Sequence, residues 1–232
     1  MNIDTIIDNL PLYFSGAWTT LQLLLISLLL GLLGAVPLAV LRSLRGHWLL
    51  NGLSRAVWLY TYVFRGTPML VQLFLIYYGL AQFEAVRESP FWSLLSSAWF
   101  CVCLSFVLNT CAYTTEIIAG SIRALPAGEI EAAKAIGMSR WVMLRRIVLP
   151  SALRRSLPAY SNEAIFMLHG TALASIVTLL DLTGAARQVN STHYIPFEAF
   201  ITAACFYLLM TLALVALFHK AEARWLKPLM PR

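Results

Sequence analysis

The fold is restricted most by a series of apolar stretches long enough to cross a bilayer. A hydrocarbon core of about 30 Å takes about 20 residues at a helical rise of about 1.5 Å. Five stretches meet that length, at about 18–41, 66–83, 93–119, 156–180 and 198–218. Lipid offers no partner to a free backbone N–H or C=O, so each stretch is expected to be helical. The expectation is an all-α integral membrane protein, one transmembrane domain over residues 1–232 with five membrane helices. Only 12% of the residues are charged, where a soluble domain carries about 25%.

The N-terminal residues include Asp4 and Asp8 and no Lys or Arg before the first apolar run. A signal peptide needs a basic n-region, so the first run is expected to remain as a span. Residues 46–64 set Arg55 among Leu, Val, Trp58, Tyr60 and Tyr62, the make-up of an interfacial stretch with aromatics at headgroup level. Within the first span, Ser27, Gly31, Ala35 and Ala39 form a stripe of small residues at intervals of four. Such a stripe lets another helix approach closely.

Basic residues orient the chain, because Lys and Arg concentrate on the cytoplasmic side. Arg42, Arg45, Arg55 and Arg65 follow the first span. Arg123, Lys134, Arg140, Arg145, Arg146, Arg154 and Arg155 lie between the third and fourth. Lys220, Arg224, Lys227 and Arg232 follow the fifth, which leaves only Arg87 and Arg187 for the other side. The N-terminus is therefore expected in the periplasm and the C-terminus in the cytoplasm. This asymmetry accounts for a pI near 9.4 without nucleic acid.

Chemistry within the chain has little to work with. No Gly-x-x-x-x-Gly-Lys-Ser/Thr loop is present, so ATP binding by this chain is not expected. Cys101, Cys103, Cys111 and Cys205 lie in apolar runs and lack zinc-site spacing. His47, His169, His193 and His219 are scattered. No nucleophile–base grouping appears, so neither an enzyme nor a cofactor of its own is expected.

One polar interruption, about 124–155, breaks the apolar pattern. It reads Glu131-Ala-Ala-Lys-Ala-Ile-Gly137-Met-Ser-Arg-Trp-Val-Met-Leu-Arg-Arg-Ile147-Val-Leu-Pro150. Residues 131–136 are small and helix-favouring, suited to lie in a groove on another protein. Gly137 permits the turn out of that helix. Trp141, Leu144, Ile147 and Val148 then repeat at threes and fours, giving a second helix with one apolar face. Pro150 is expected to stop it before the fourth span.

This segment resembles the EAA loop of bacterial ABC importer permeases. The resemblance extends to Phe64-Arg65-Gly66-Thr67-Pro68 with Val71-Gln72, and to Leu149-Pro150-Ser-Ala-Leu153-Arg154. Asn109-Thr-Cys-Ala-Tyr113-Thr-Thr-Glu116-Ile-Ile-Ala-Gly120, Ala159-Tyr160-Ser-Asn162-Glu163 and Met167-Leu-His169-Gly-Thr171-Ala-Leu are similar to the M-type subunits of histidine/lysine/arginine/ornithine importers. Many relatives carry Lys-Asp-Thr-Ser-Leu where this chain has His169-Gly-Thr-Ala-Leu.

The resemblance implies a type I ABC permease in the bacterial inner membrane. It implies a homologous permease as heterodimer partner, two ATP-binding subunits holding ATP and Mg, and a periplasmic binding protein delivering a basic amino acid. It assigns ATPase coupling to Glu131, Ala132, Ala133 and Gly137. The rival reading is a self-sufficient channel or ion-coupled carrier, for which five spans are few and no inverted repeat is visible.

Charges inside spans are costly and mark either a pathway or a buried pair. Glu116 lies near the inner end of the third span and Glu163 about seven residues into the fourth, with Arg65 at a comparable depth. Two readings stay open. Arg65 neutralises Glu116 or Glu163, or Glu163 faces a cavity and holds a cationic substrate. Asn162 and His169 could share a face with Glu163. Thr171 and Asn109 complete the candidates along the pathway.

Overall fold

The computed structural model describes residues 3–43 and 48–226. Arg45, His47, Lys227 and Arg232 lie outside the described residues. Every regular element among the described residues is helical.

The first helix, α1 (Ile3–Ser43), has 41 residues where about 24 were expected. At helical rise it runs about 60 Å, roughly twice a hydrocarbon core, so it extends well beyond the apolar stretch. Its small-residue stripe is on the buried face together with Tyr13, Gly16, Thr20, Leu23 and Leu24. A Cβ on Gly31 would come within 2.5 Å of the Thr110 Cγ2 methyl. The absent side chain is thus what lets α1 seat against the third apolar run.

The described part of the expected interfacial stretch, residues 48–64, lies in a helix, α2 (Trp48–Gly66). The chain then bends by 106° between Leu50–Gly66 and Met69–Gln82, and α3 (Met69–Phe74) continues through a π turn and a 3-10 turn. The cause is local. Pro68 has no N–H to donate and biases Thr67 away from helical backbone; Pro68 itself is extended, at φ −61° and ψ 134°. The second apolar stretch therefore begins at a sharp break rather than inside a straight span.

Short turns of helix, α4 (Glu84–Arg87) and α5 (Trp92–Leu95), lead to α6 (Ala98–Arg123), whose N-cap Ser97 accepts from the Phe100 N–H. The polar loop folds as α7 (Ala127–Ala135) and α8 (Arg140–Met143). A π turn, Leu144–Val148, joins α8 to α9 (Leu149–Gly170). A 3-10 segment, Thr171–Val177, follows, then α10 (Leu182–His193) and α11 (Pro196–Trp225).

Pro150 does not end the preceding helix as expected. The helical course widens just before it, where the Leu149 N–H reaches the Leu144 carbonyl. One wider turn lets the ladder absorb a proline that can neither donate nor sit close against the carbonyl four residues back.

Among the described residues three helices, α1, α6 and α11, are each long and apolar enough to cross a membrane. Two bent pairs pass only when taken together, Leu50–Gly66 with Met69–Gln82 and Arg140–Val177 with Leu182–His193. The main core joins α1, α3, α6 and α9 through Leu23, Leu73, Val102, Phe106, Met167 and Leu168. A second cluster packs α10 between α1 and α11, around Tyr13, Leu182 and Val189. On α11, Leu208, Leu209, Leu212 and Leu217 stay exposed, a face suited to apolar surroundings.

Candidate functional site: a docking loop and a broken-helix interior

The loop helix α7 ends in two paired caps. The Gly137 N–H bonds to the Lys134 carbonyl at 2.9 Å and the Met138 N–H to the Ala133 carbonyl at 3.1 Å. This is a Schellman arrangement, and Gly137 holds φ +74°, where a Cβ is strained. Ala133 is buried while Glu131 and Ala132 are exposed. The next helix starts on Ser139, whose Oγ accepts from the Val142 N–H. Trp141 departs from the apolar face assigned to it and is 68% exposed, as Ile136 is at 72%. Between α7, α8 and the ends of α1 and α6 lies a groove of about 830 Å³, lined by Val40, Ile122, Ile130, Met138, Trp141 and Val148 among others. A small-residue helix with one exposed face and an apolar flank has the form of a surface meant for another protein.

In the interior, one of the open readings, an Arg65–Glu116 pair, is not the arrangement found. Glu116 Oε1 accepts from Arg42 Nε at 3.2 Å and from Thr61 Oγ1 at 3.2 Å, and Glu116 Oε2 lies 3.5 Å from Arg123 Nη2. Arg123 is seven residues on from Glu116 and so returns to the same helix face. The end of α1 brings Arg42 to the same level. Arg65 sits one turn away, its guanidinium 5.3 Å over the Tyr113 ring, and the Tyr113 hydroxyl donates to the Arg65 carbonyl at 3.3 Å.

The bend at residues 66–68 leaves carbonyls without helical partners, and side chains take them up. Gln72 Nε2 donates to the Phe64 carbonyl at 2.7 Å and the Thr67 carbonyl at 3.0 Å. Asn109 Nδ2 on α6 donates to Gln72 Oε1 at 2.9 Å. Asn109 is thus a clamp on the broken helix, and Gln72 is its partner in that task.

Glu163 is only 8% exposed, on the α9 face turned toward α6. Thr110 and Arg65 are its polar neighbours. The other candidates separate from it. Asn162 is exposed on an adjoining face. His169 Nε2 lies 3.3 Å from Thr211 Oγ1 on α11, because six residues along a helix turn a side chain well away from Glu163. Thr171 is fully buried and donates to the Leu168 carbonyl at 2.6 Å. The structure therefore groups Glu163, Arg65, Thr110, Tyr113 and Asn109 around the helix break. It leaves His169 and Thr171 with neighbours of their own.

Sequence reasoning missed Asp181. It is fully buried; its Oδ1 caps α10 by accepting from the Gly184 N–H at 2.9 Å, and its Oδ2 accepts from the Tyr207 hydroxyl at 3.3 Å. The Leu182 N–H donates to Thr20 Oγ1 at 3.1 Å. A Cβ on Gly16 would lie 2.8 Å from the Asp181 carbonyl, so α1 closes directly over this corner. The available signal was Asp181 itself, an N-cap residue type standing just after an apolar run and directly before Leu182. Among the described residues no group of His, Cys, Asp and Glu is arranged to hold a metal ion.

A central carboxylate beside a broken helix suits recognition of a cation. A separate loop with a capped helix suits force transfer from a partner. Known proteins resemble the chain over nearly its whole length. The family model for the inner membrane component of binding-protein-dependent transport systems matches residues 35–227. The chain is 45% identical to the nopaline transport system permease protein NocM of Agrobacterium fabrum, over 98% of this chain and 93% of that protein. It is 48% identical to the histidine/lysine/arginine/ornithine transport system permease protein HisM of Escherichia coli K12, over 94% and 90%. A solved amino acid ABC transporter with histidines superposes with a TM-score of 0.85 at 32% identity, over 97% of this chain and 99% of that one. The chain belongs to the family of binding-protein-dependent transport system inner membrane components.

Proposed function

We propose that this chain is one permease of an ATP-driven importer of basic amino acids. The observation that carries the reading is Glu163, a buried carboxylate on α9 with Arg65 across the helix break. A site with both signs of charge suits a zwitterion, and a carboxylate suits a second cationic group on its side chain. Similarity to a permease for histidine, lysine, arginine and ornithine supports that substrate class.

The chain acts as a single transmembrane domain of five spans, each bent pair counting as one, with the N-terminus in the periplasm and the C-terminus in the cytoplasm. It pairs with a homologous permease and receives substrate from a periplasmic binding protein. Two ATPase subunits hold the ATP and Mg, and one of them docks on Glu131, Ala132, Ala133 and Gly137 of this chain. Their closure moves α7, and the two bundles rock around the central site.

Uptake by the reconstituted complex tests the reading, with and without ATPase and binding protein, across arginine, ornithine, lysine, histidine and glutamine. Import that needs both partners and favours the cationic amino acids supports it; import without ATPase overturns it. Orientation is read from single cysteines in a background without the native four. Those at Glu84 and Asn190 label from the periplasm and one at Ser139 from the cytoplasm; the reverse pattern rejects the topology.

A further inference from the structure

We propose that Glu129 and Arg155 form the strut that delivers motion of α7 to α9, which rests on reading α7 as the docking helix. Arg155 Nη2 donates to Glu129 Oε1 at 3.0 Å, joining the first turn of α7 to α9 across 26 residues of chain. Arg155 Nε also lies 3.5 Å from Ser151 Oγ on its own helix, which holds the guanidinium in line.

The covalent route between the two helices is poorly suited to carrying force. It passes the left-handed turn at Gly137, residues 138–139, the four-residue α8 and then the π turn Leu144–Val148. A glycine turn and a widened turn are both places where backbone yields. The element that α7 lies against most is the π turn itself, on the far side of that joint from most of α9. A push on α7 would be absorbed there. The ion pair bypasses both joints and enters α9 at Arg155, eight residues or about 12 Å below Glu163 at helical rise.

Both side chains are 31% exposed, and an ion pair open to water adds little to stability. Its removal therefore leaves the bundle intact and isolates the mechanical role. Arg155 also lines a cavity of about 550 Å³ with Glu116, Gly120, Ala124 and Leu226.

The experiment uses the whole importer in proteoliposomes, with arginine uptake and ATP hydrolysis measured together. Glu129→Gln and Arg155→Gln should each lower uptake per ATP hydrolysed by about fivefold, in line with losing one half-exposed ion pair, while the ATPases still co-purify. The charge swap Glu129→Arg with Arg155→Glu should restore most of the ratio, which a merely structural contact would not move. Unchanged uptake per ATP in both single variants overturns the strut. If the single variants shed the ATPases, the swap decides: a restored ratio supports the strut and an unrestored one overturns it. A short cross-link between cysteines at 129 and 155, without the native cysteines, should preserve uptake; arrest by the cross-link overturns a strut that stays closed. A wild-type complex without ATP-driven uptake would overturn the importer reading itself, and the strut with it.

Discussion

Glu116 and Glu163 are the same residue type, each placed inside a membrane helix, yet the fold treats them oppositely. Glu116 is ringed by Arg42, Arg123 and Thr61, drawn from α1, α6 and α2. Its charge ties three helices together. Glu163 is more deeply buried and has one cation, Arg65, within electrostatic reach, and that cation is already stacked on Tyr113. A carboxylate with its partners supplied is architecture. One without a close ion pair beside a broken helix is what the proposed cation site requires, because a buried charge without close pairing gains most from an incoming cation.

The widest separation between the two should come from Glu163→Gln. A charge-assisted hydrogen bond contributes about 1.5–3 kcal/mol, so arginine transport should fall roughly 10- to 100-fold, with neutral substrates affected far less. Initial uptake rates for arginine and glutamine in the same proteoliposomes measure this. An equal loss for both would collapse the comparison and make Glu163 a structural partner of Arg65. In that case Arg65→Gln should partly rescue it.

A next, somewhat smaller effect should come from a change that touches neither carboxylate. Gly137→Val forces a β-branched residue into φ +74°, which costs on the order of 1–2 kcal/mol, with nothing within 4 Å for the new Cβ to clash against. The end of α7 should fray and uptake should drop roughly 5- to 30-fold. The drop should be the same for every substrate, with membrane insertion unchanged. A substrate-dependent loss here would show that the docking loop reaches the cargo site, and the contrast with Glu163 would lose its meaning.

What the sequence made legible, and what it did not, follows the same division. Hydropathy speaks to length and burial, so the helical class and the apolar stretches could be read directly. Gly137 could be read too, because a left-handed helix end is a local demand on one residue. The break at Pro68 was quoted as a motif but not placed as a bend, since an apolar window is blind to missing backbone donors. The partner of Glu116 was assigned by depth alone. Depth cannot say which face of α2 Arg65 occupies, and Arg42 stood nearer once α1 ran on to Ser43. Asp181 sits one residue past the expected fourth span, where a polar residue looks like the edge of the membrane. Only tertiary packing, with Gly16 pressed onto its carbonyl, makes it a buried cap.

Glu116→Gln should lower the amount of folded permease several-fold while sparing selectivity. Replacing the carboxylate with an amide leaves Arg42 and Thr61 only a neutral oxygen to donate to and turns an NH2 donor toward Arg123, a loss of about 1–3 kcal/mol in a partly buried place. A deficit of that size changes cellular abundance several-fold. Uptake divided by the amount of assembled complex should be near normal, with arginine and glutamine reduced in proportion. A preserved amount with lost arginine preference would move the cargo site to Glu116 and reverse the comparison.

The smallest effect distinguishes the two arginines around Glu116. The Arg42 side chain is 25% exposed and bonded at 3.2 Å, whereas Arg123 is 53% exposed and lies at 3.5 Å. Water screens the second contact, and exposed pairs of that kind contribute about 0.2–1 kcal/mol. Arg123→Gln should therefore leave detergent-solubilised thermal stability almost unchanged, while Arg42→Gln lowers the unfolding midpoint measurably, with arginine selectivity intact in both. Glu116 would then be anchored chiefly by α1, across the same packed face where Gly31 meets Thr110. Equal destabilisation by both changes would mean that the charge cluster acts as one buried unit. Glu116 would then resemble Glu163 in burial, and only the supply of cations would separate them.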